Sequence, residues 1–299
     1  MRILISGSHG LVGKALIESL LAKGHSISRL VRGSSSPDSR DIEWHPNQGT
    51  IQSDKVSRFD AVVHLAGESI ASGRWTDEKK RRIRESRVKG TQLLSNVLAQ
   101  SAQLPAVFVS ASATGFYGDR GDEILTEGSS AGTGFLAEVC VQWEKATEPA
   151  AEKGIRVVNA RLGIVLDKEG GALAKMLPPF RMGIGGRVGS GKQWMSWIAL
   201  DDVVSALEFV IEHQSISGPV NLVAPNPATN ATFTSTLGKA LRRPTFLPVP
   251  VFGARLAFGE MADALLLSSQ RVQPKCLNES GFRFQYPHLR EALSHILNN

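Results

Sequence analysis

Cysteine and tyrosine are scarce in this 299-residue sequence, and long apolar runs are missing from it. Cys140 and Cys276 lie far apart and form no CxxC pair, so the sequence predicts reduced thiols rather than a zinc site or a disulfide framework. Charged residues, glycine or proline interrupt every apolar stretch, and the apolar N-terminal run is too short for a signal peptide. We therefore expect a cytoplasmic protein with no membrane partner and no metal.

The charge balance is basic, with a net charge of +6 and a pI near 9.5. Such a balance is compatible with an anionic ligand or with nucleic acid. The densest basic run, residues 79–84, has helical periodicity and is typical of a solvated helix face. No recognition helix and no basic strand with interleaved aromatic residues accompanies it, so no nucleic-acid partner is predicted.

Strands and helices alternate through the first half of the chain. Short apolar strands are predicted over 3–5, 26–31, 61–65, 106–110 and 156–160, with helices over 11–23, 76–100 and 135–153. This alternation predicts an α/β fold with a Rossmann-type, doubly wound parallel sheet over residues 1–165. Glycine and proline cluster over 170–191, so we place a smaller C-terminal α+β substrate lobe at 166–299, with a helix near 200–212 that can return to the first domain.

A glycine-rich turn follows the first predicted strand and opens the first helix. Glycine lets the chain curl tightly there, so that backbone amides and the positive end of the helix dipole reach a pyrophosphate. A tight turn without a ligand is the alternative. The residues of this turn predicted to contact a dinucleotide are Gly7, His9, Gly10, Leu11, Val12 and Gly13.

The residues after the second strand bear on which dinucleotide is bound. An NAD site usually has a carboxylate there for the adenosine ribose, whereas this chain has Val31 and Arg32. A guanidinium pairs well with a 2′-phosphate, so the sequence favours NADP(H). A solvent-exposed arginine without a ligand is the alternative. At the ends of the later strands, the predicted cofactor contacts are Leu65, Ala66, Gly67, Ser110 and Val165.

Three motifs together resemble the extended short-chain dehydrogenase/reductases, the NAD-dependent epimerase/dehydratase superfamily. They are the glycine turn 7–13, the segment His64-Leu65-Ala66-Gly67, and the stretch 110–119. Segments 67–70, 74–76, 176–180 and 189–198, with Gly259-Glu260-Met261 and the 270–274 tail, resemble more narrowly the subfamily known as epimerase family proteins, including its distinctive C-terminal domain. The resemblance covers essentially the whole chain. It implies a Rossmann fold, bound NADP(H) and a C-terminal lobe closing over a small substrate.

Catalytic members of that superfamily use a Tyr-x-x-x-Lys pair, which this chain lacks. The resemblance puts Phe135 and Val139 at the two positions, Ser112 at the conserved serine, and Arg87 where an asparagine is usual. Phenylalanine has no ionisable proton and valine carries no charge. Arg87 is therefore expected to supply the missing cation to the cofactor, with a surface arginine as the alternative.

Other residues could supply the missing acid. Tyr117 follows the strand bearing Ser112, and Glu68 follows Gly67, although loop packing for Tyr117 and solvation or capping for Glu68 are equally open. Gln193 and Trp194 are candidate substrate contacts from the second lobe, and tryptophan packing at the interface is the alternative.

These features predict an NADP(H)-binding oxidoreductase or epimerase-like enzyme acting on a small molecule, as a monomer or homodimer. Hydride chemistry then belongs to the cofactor, with Ser112, Tyr117 and Glu68 as the catalytic candidates. The alternative is a non-catalytic NADP(H)-binding redox sensor or partner-binding protein, which the missing Tyr-x-x-x-Lys pair favours.

Overall fold

An eight-stranded sheet forms the centre of the computed structural model, which describes residues 1–33 and 40–298. The strands run in the spatial order β4-β3-β2-β1-β5-β6-β8-β12 and are parallel, except that β4 is antiparallel to β3. Their bounds are β1 Arg2–Ser6, β2 Ser26–Val31, β3 Ile42–His45, β4 Thr50–Ile51, β5 Ala61–His64, β6 Val107–Ala113, β8 Arg156–Leu162 and β12 Gly218–Leu222. The predicted doubly wound parallel sheet is confirmed, whereas β3 and β4 were not predicted.

The first strand shows why both faces of this sheet are covered. Ile3 and Ile5 pack in one core, whereas Leu4 packs in the core on the opposite face, as the two-residue repeat of a strand requires. Helices α1 (Leu11–Ala22) and α6 (Leu200–Glu212) cover the first face. Helices α2 (Asp77–Ala99) and α4 (Glu148–Glu152) contribute to the second core.

The helix predicted over 135–153 is in fact two helices. Helix α3 (Phe135–Lys145) ends before Thr147, and Pro149 occupies the first turn of α4, where a missing N–H costs no hydrogen bond. Ser95 of α2 fills the break, since its hydroxyl donates to the Thr147 carbonyl and accepts from the Ala150 amide. The prediction of one continuous helix is therefore wrong.

Residues beyond 165 divide between the sheet and a second core. Helix α6 packs on α1, and β12 extends the sheet beside β8, so this stretch returns to the Rossmann unit. A separate core surrounds Trp197 and Phe233. The division at residue 165 stays a prediction, with the return of α6 as its stated exception.

The second core and the short elements around it make up the remaining part of the fold. The helices are α5 Gly171–Arg181, α7 Asn230–Leu241, α8 Val251–Phe258, α9 Glu260–Ala262, α10 Lys275–Glu279 and α11 Leu289–Asn298, with a π-helical turn at Asp263–Leu267. The strands are β7 Ile124–Leu125, β9 Ile164–Leu166, β10 Trp194–Met195, β11 Trp197–Ala199, β13 Ala228–Thr229 and β14 Arg271–Val272. Within the described residues, no helix is long and apolar enough to cross a membrane.

Candidate functional site

The turn between β1 and α1 has no room for side chains at two of its glycines. Gly7 has φ +73°, and a Cβ there would lie 2.6 Å from the Leu65 carbonyl carbon. A Cβ on Gly13 would lie 2.2 Å from the Gly7 carbonyl oxygen. The helix therefore starts directly against the turn, which places its unpaired amides at the carboxyl edge of the sheet, where a dinucleotide phosphate can bind.

A buried serine holds the turn and the next strand together. Ser6 Oγ accepts hydrogen bonds from the amides of Leu65 and Ala66, and it lies 2.6 Å from His64 Nδ1. Because the hydroxyl has one proton, we assign it to the bond toward Nδ1, which puts the imidazole proton on Nε2. Burial lowers the pKa of His64 to about 4, so the ring stays neutral at neutral pH. Sequence reasoning missed Ser6.

The other turn and strand-end residues occupy distinct positions around this edge. His9 and Gly10 are exposed, and Leu11 packs against Gly170 at the start of α5. Ser110 is buried and lies in register with His64 on the neighbouring strand. The half-buried residues of the predicted set are Val12, Val31, Leu65, Ala66 and Val165.

Arg87 lies beside the next glycine of the edge. A Cβ on Gly67 would lie 3.4 Å from Arg87 Cζ, and Arg87 Nη1 donates to the carbonyls of Glu68 and Ile83. The guanidinium also lies 5.0 Å from the centroid of the Trp143 ring. No carboxylate among the described residues pairs with Arg87, and burial lowers its pKa. Arg87 is therefore a half-buried cation next to the Gly67 backbone with no paired carboxylate. A guanidinium in such a position is suited to bind an anionic ligand.

Glu68 is held in place by a buried lysine. Lys79 Nζ donates to Glu68 Oε1 at 2.6 Å and to Ser72 Oγ at 2.7 Å. The hydrogen bond from Lys79 lowers the pKa of Glu68, with smaller effects from Arg82 and Arg32. The carboxylate therefore favours its ionised form, so the contact argues against Glu68 as a proton donor.

Arg32 follows β2 as an exposed side chain. It forms no ion pair within the described residues, and it contributes to lowering the pKa of Glu68. An adjacent group of serines, 34–36, lies outside the described residues.

Ser112 belongs to a buried ion-pair network. Its hydroxyl donates to Glu144 Oε1 at 2.6 Å, and Arg161 binds both oxygens of the same carboxylate at 2.8 Å. The Arg161 guanidinium also lies over the Phe116 ring, 3.5 Å from its centroid. The Ser112 hydroxyl thus donates its hydrogen bond to the Glu144 carboxylate.

Tyr117 completes the same network in a fully buried position. Its hydroxyl accepts from Arg161 Nη1 at 2.9 Å and donates to Asn221 Oδ1 at 2.7 Å. Burial raises the pKa of Tyr117. Its donor and its acceptor are both satisfied within the protein, which argues against proton transfer to a substrate. Sequence reasoning missed Glu144 and Asn221.

Phe135 lies in an apolar cluster that joins the two parts of the chain. Its ring makes an edge contact with Trp75, 5.3 Å between centroids, and the same cluster contains Met261 from α9. Arg84 and Lys80 lie over the Phe135 ring at 5.7 and 5.8 Å. The position that the resemblance assigns to the catalytic tyrosine therefore holds a half-buried ring that contacts apolar and cationic side chains.

The two predicted substrate contacts are both bonded within the protein. Gln193 is buried, and its amide nitrogen donates to the carbonyls of Val188 and Leu266. Trp194 donates to Asp122, and Arg271 stacks over its ring at 4.4 Å.

Two separate groupings thus emerge at the carboxyl edge of the sheet. One combines the glycine turn, the Leu65–Gly67 step and Arg87. The other is the Ser112–Glu144–Arg161–Tyr117 network. Glu68 adjoins the first group, whereas Gln193 and Trp194 contact residues 119–122 and 266–271 instead. No cluster of histidine, cysteine or carboxylate side chains suited to a metal ion occurs within the described part of the chain.

Sequence comparison finds two families along the chain. Residues 3–223 match the NAD dependent epimerase/dehydratase family, and residues 249–296 match a family described as a domain of unknown function. The chain is 45% identical over 293 residues to "Epimerase family protein Mb2239" of Mycobacterium bovis, covering 98% of this chain and 96% of that protein.

Two solved structures share both sequence and fold with it. The human epimerase family protein SDR39U1 with NADPH is 33% identical, with a TM-score of 0.92 and full coverage of both chains. The nucleoside-diphosphate sugar epimerase from Corynebacterium glutamicum is 41% identical, with a TM-score of 0.81. That match covers 99% of this chain and 58% of the other.

Proposed function

Because this chain belongs to the NAD dependent epimerase/dehydratase family, we propose that it binds NADP(H) at the β1–α1 turn and acts as an atypical oxidoreductase on a small molecule. The carrying observation is the turn itself: Gly7 and Gly13 leave space only for backbone, Gly7 approaches Leu65 and Ala66, and the adjoining Gly67 lies next to Arg87, which has no carboxylate partner among the described residues. The NADPH in the human relative's structure supports the choice of cofactor.

The residues present suit a dinucleotide phosphate. The amides of the turn and the positive end of α1 would hold the pyrophosphate, with Leu65, Ala66 and Gly67 forming the wall against which the nucleotide lies. Arg32 would bind the 2′-phosphate, and Arg87 would supply the cation that the family lysine supplies elsewhere. When bound, the cofactor would provide hydride chemistry.

Titration of the two cofactors tests the Arg32 assignment. Isothermal titration calorimetry should give at least about tenfold tighter binding of NADPH than of NADH, since a 2′-phosphate contact is charge-assisted. Arg32→Asp should reverse this order, because a carboxylate repels the phosphate and accepts from the ribose hydroxyls. Arg283→Asp, an exposed change remote from the turn in sequence, is the matched control. Equal affinities for both cofactors would count against Arg32.

A second titration tests Arg87. Arg87→Gln should weaken NADPH and NADH by a similar factor, because the proposed contact is with a part common to both. Arg87→Lys should recover part of the affinity, since it keeps the charge but loses the planar fork. If the Arg87→Gln variant bound both cofactors with unchanged affinity, Arg87 would have no role in cofactor binding. Its role would then be limited to its hydrogen bonds with the Glu68 and Ile83 carbonyls.

A non-catalytic NADP(H)-binding protein is the second candidate function. It is favoured because every predicted catalytic side chain is hydrogen-bonded within the protein: Ser112 to Glu144, Tyr117 to Asn221, and Glu68 to Lys79. An oxidoreductase with these residues would draw its proton from solvent or from the substrate.

Reduction assays separate the two functions. NADPH absorbance should fall when the protein is given aldehydes, ketones or quinones as acceptors, and the Gly13→Ala variant should lack this activity if binding at the turn is required. Stoichiometric NADPH binding without turnover on any acceptor class would favour the non-catalytic protein.

A further inference from the structure

Exposed apolar side chains concentrate on one part of the C-terminal lobe. Phe246, Phe252 and Leu256 are 78%, 74% and 72% exposed, values far above those of ordinary surface apolar residues. The apolar patch, as we call it, consists of Met182, Ile184, Phe246, Leu247, Phe252, Leu256 and Phe258.

The backbone brings the two segments of the apolar patch side by side. A Cβ on Gly183 would lie 3.7 Å from the Pro244 ring. The Val249 amide donates to the Arg187 carbonyl, and the Gly189 amide donates to the Val249 carbonyl. Helix α8 begins two residues after Val249 and therefore lies directly next to these paired segments.

Helix α8 is apolar yet packs against little of the protein. Its sequence is Val-Phe-Gly-Ala-Arg-Leu-Ala-Phe, and Ala254 is its one buried residue. Phe252 and Leu256, four residues apart, lie on one face of the helix. Helices with an apolar face usually bury that face against another element. The exposed face of α8 with Phe252 and Leu256 is therefore expected to be covered by a partner.

The segments that carry the apolar patch are basic, and acidic residues begin only at Glu260 and Asp263, directly after α8. Residues 171–200 and 213–259 together contain eight lysines and arginines and no aspartate or glutamate. Arg255 is paired with Asp263. Arg181 adjoins Met182, and Arg242 and Arg243 precede the Phe246 segment, with no carboxylate partner among the described residues.

From this combination we propose that the apolar patch docks this protein onto an anionic lipid bilayer. Phenylalanine, leucine, isoleucine and methionine side chains would enter the headgroup region, while the arginines bind lipid phosphates and carboxylates. The interrupted apolar runs of the sequence predict no membrane partner, but docking at a bilayer surface does not require a spanning segment.

Two other occupants fit the patch less well. A second copy of the chain in a two-fold dimer would set one arginine-rich border against the other, with repulsion between like charges. A protein partner usually forms about ten hydrogen bonds across an interface, whereas Thr245 is the one uncharged hydrogen-bonding side chain between Pro244 and Phe258.

Vesicle sedimentation tests the proposal on the full chain. We expect binding to vesicles of phosphatidylcholine with phosphatidylserine, little binding to phosphatidylcholine alone, and weaker binding as salt is raised. Removing two arginine charges should weaken binding by roughly 30-fold, since each basic residue near an anionic surface contributes about 1 kcal/mol. The charge variant is Arg242→Gln with Arg243→Gln, and its control is Arg283→Gln with Arg290→Gln.

A second pair of variants tests the apolar contribution. Phe252→Ser with Leu256→Ser should abolish binding, whereas Leu21→Ser with Leu104→Ser, two exposed apolar residues elsewhere, should leave it unchanged. The exposure of Phe252 and Leu256 makes unfolding unexpected, and circular dichroism melting verifies this. Absence of binding to the anionic vesicles, or a dimer in light scattering that the Phe252/Leu256 variant dissociates, would overturn the proposal.

Discussion

Gly13 shows how little space the β1–α1 turn leaves for any side chain. Gly13→Ala would place a methyl group 2.2 Å from the Gly7 carbonyl oxygen, a distance at which backbone must move. We expect a loss of roughly 1–3 kcal/mol in the free energy of unfolding, as for other overpacked sites, and at least tenfold weaker NADPH binding. Urea unfolding and calorimetry measure the two effects. Gly128→Ala, with open space and no positive φ, is the control, and an equal effect there would refute the explanation.

His64 should make stability depend on pH. The unfolded imidazole titrates near 6.5 and the buried one at a pKa of about 4, so below pH 6.5 the unfolded state binds a proton that the folded state does not. This contribution is constant above pH 6.5 and falls by about 3 kcal/mol as the pH drops to 4. The free energy of unfolding should be measured between pH 4 and 6.5 for the native chain and for His64→Asn. We expect it to fall more steeply with decreasing pH in the native chain than in the variant. Parallel curves would show that His64 does not titrate as described.

At the scale of single elements, the sequence specifies helix starts better than helix interruptions. The helix predicted over 76–100 begins at the right place, because the Thr76 side chain caps α2 by accepting a hydrogen bond from the Lys79 amide. The break between α3 and α4 depends on Ser95, a residue of another helix, and so has no local signal. Short strands likewise have no local signal, because two residues show no periodicity. Strand β14, for example, is defined by its pairing with β7.

Arg74 connects two elements that are distant in sequence. Its guanidinium donates to the carbonyls of Leu256 and Ala257 at the end of α8, where helix carbonyls lack partners. Arg74→Ala should raise deuterium uptake over residues 251–258 severalfold while changing the melting temperature little, because α8 buries only Ala254. Hydrogen–deuterium exchange with mass spectrometry measures this, with Arg283→Ala as control. Unchanged uptake would mean that the contact does not hold the helix.

At the scale of the whole molecule, some features of the candidate site can be predicted from the sequence, and others depend on the folded chain. The positions of Gly7, Gly13 and Gly67 follow from two local motifs; in the structure Gly7 lies against the Leu65–Ala66 backbone, and Gly67 lies next to Arg87. The engagement of Ser112 and Tyr117 depends on Glu144 and Asn221, which lie on other elements. A serine or tyrosine at a position matched by the family resemblance predicts a catalytic residue. Its hydrogen-bond partners, which decide whether its proton is available, are set by the folded structure.

The network around Arg161 joins β6, α3, β8 and β12, so its loss should weaken the whole fold. Glu144→Gln would leave a buried guanidinium without its charge partner, and we expect about 3 kcal/mol or more of destabilisation. Asp263→Asn, which breaks the exposed pair with Arg255, should lower the free energy of unfolding far less, because solvent screens that pair. Chemical denaturation compares the two. Equal losses would contradict a central role for the buried pair.

Strand β12 enters the sheet only after α5, β10, β11 and α6 have been made. During synthesis on the ribosome, the outer edge of β8 therefore stays without its neighbour for several seconds, at roughly 5–20 residues added per second. An unpaired parallel edge is a place where nascent chains associate wrongly, so a chaperone would protect this intermediate most effectively before Leu222 emerges.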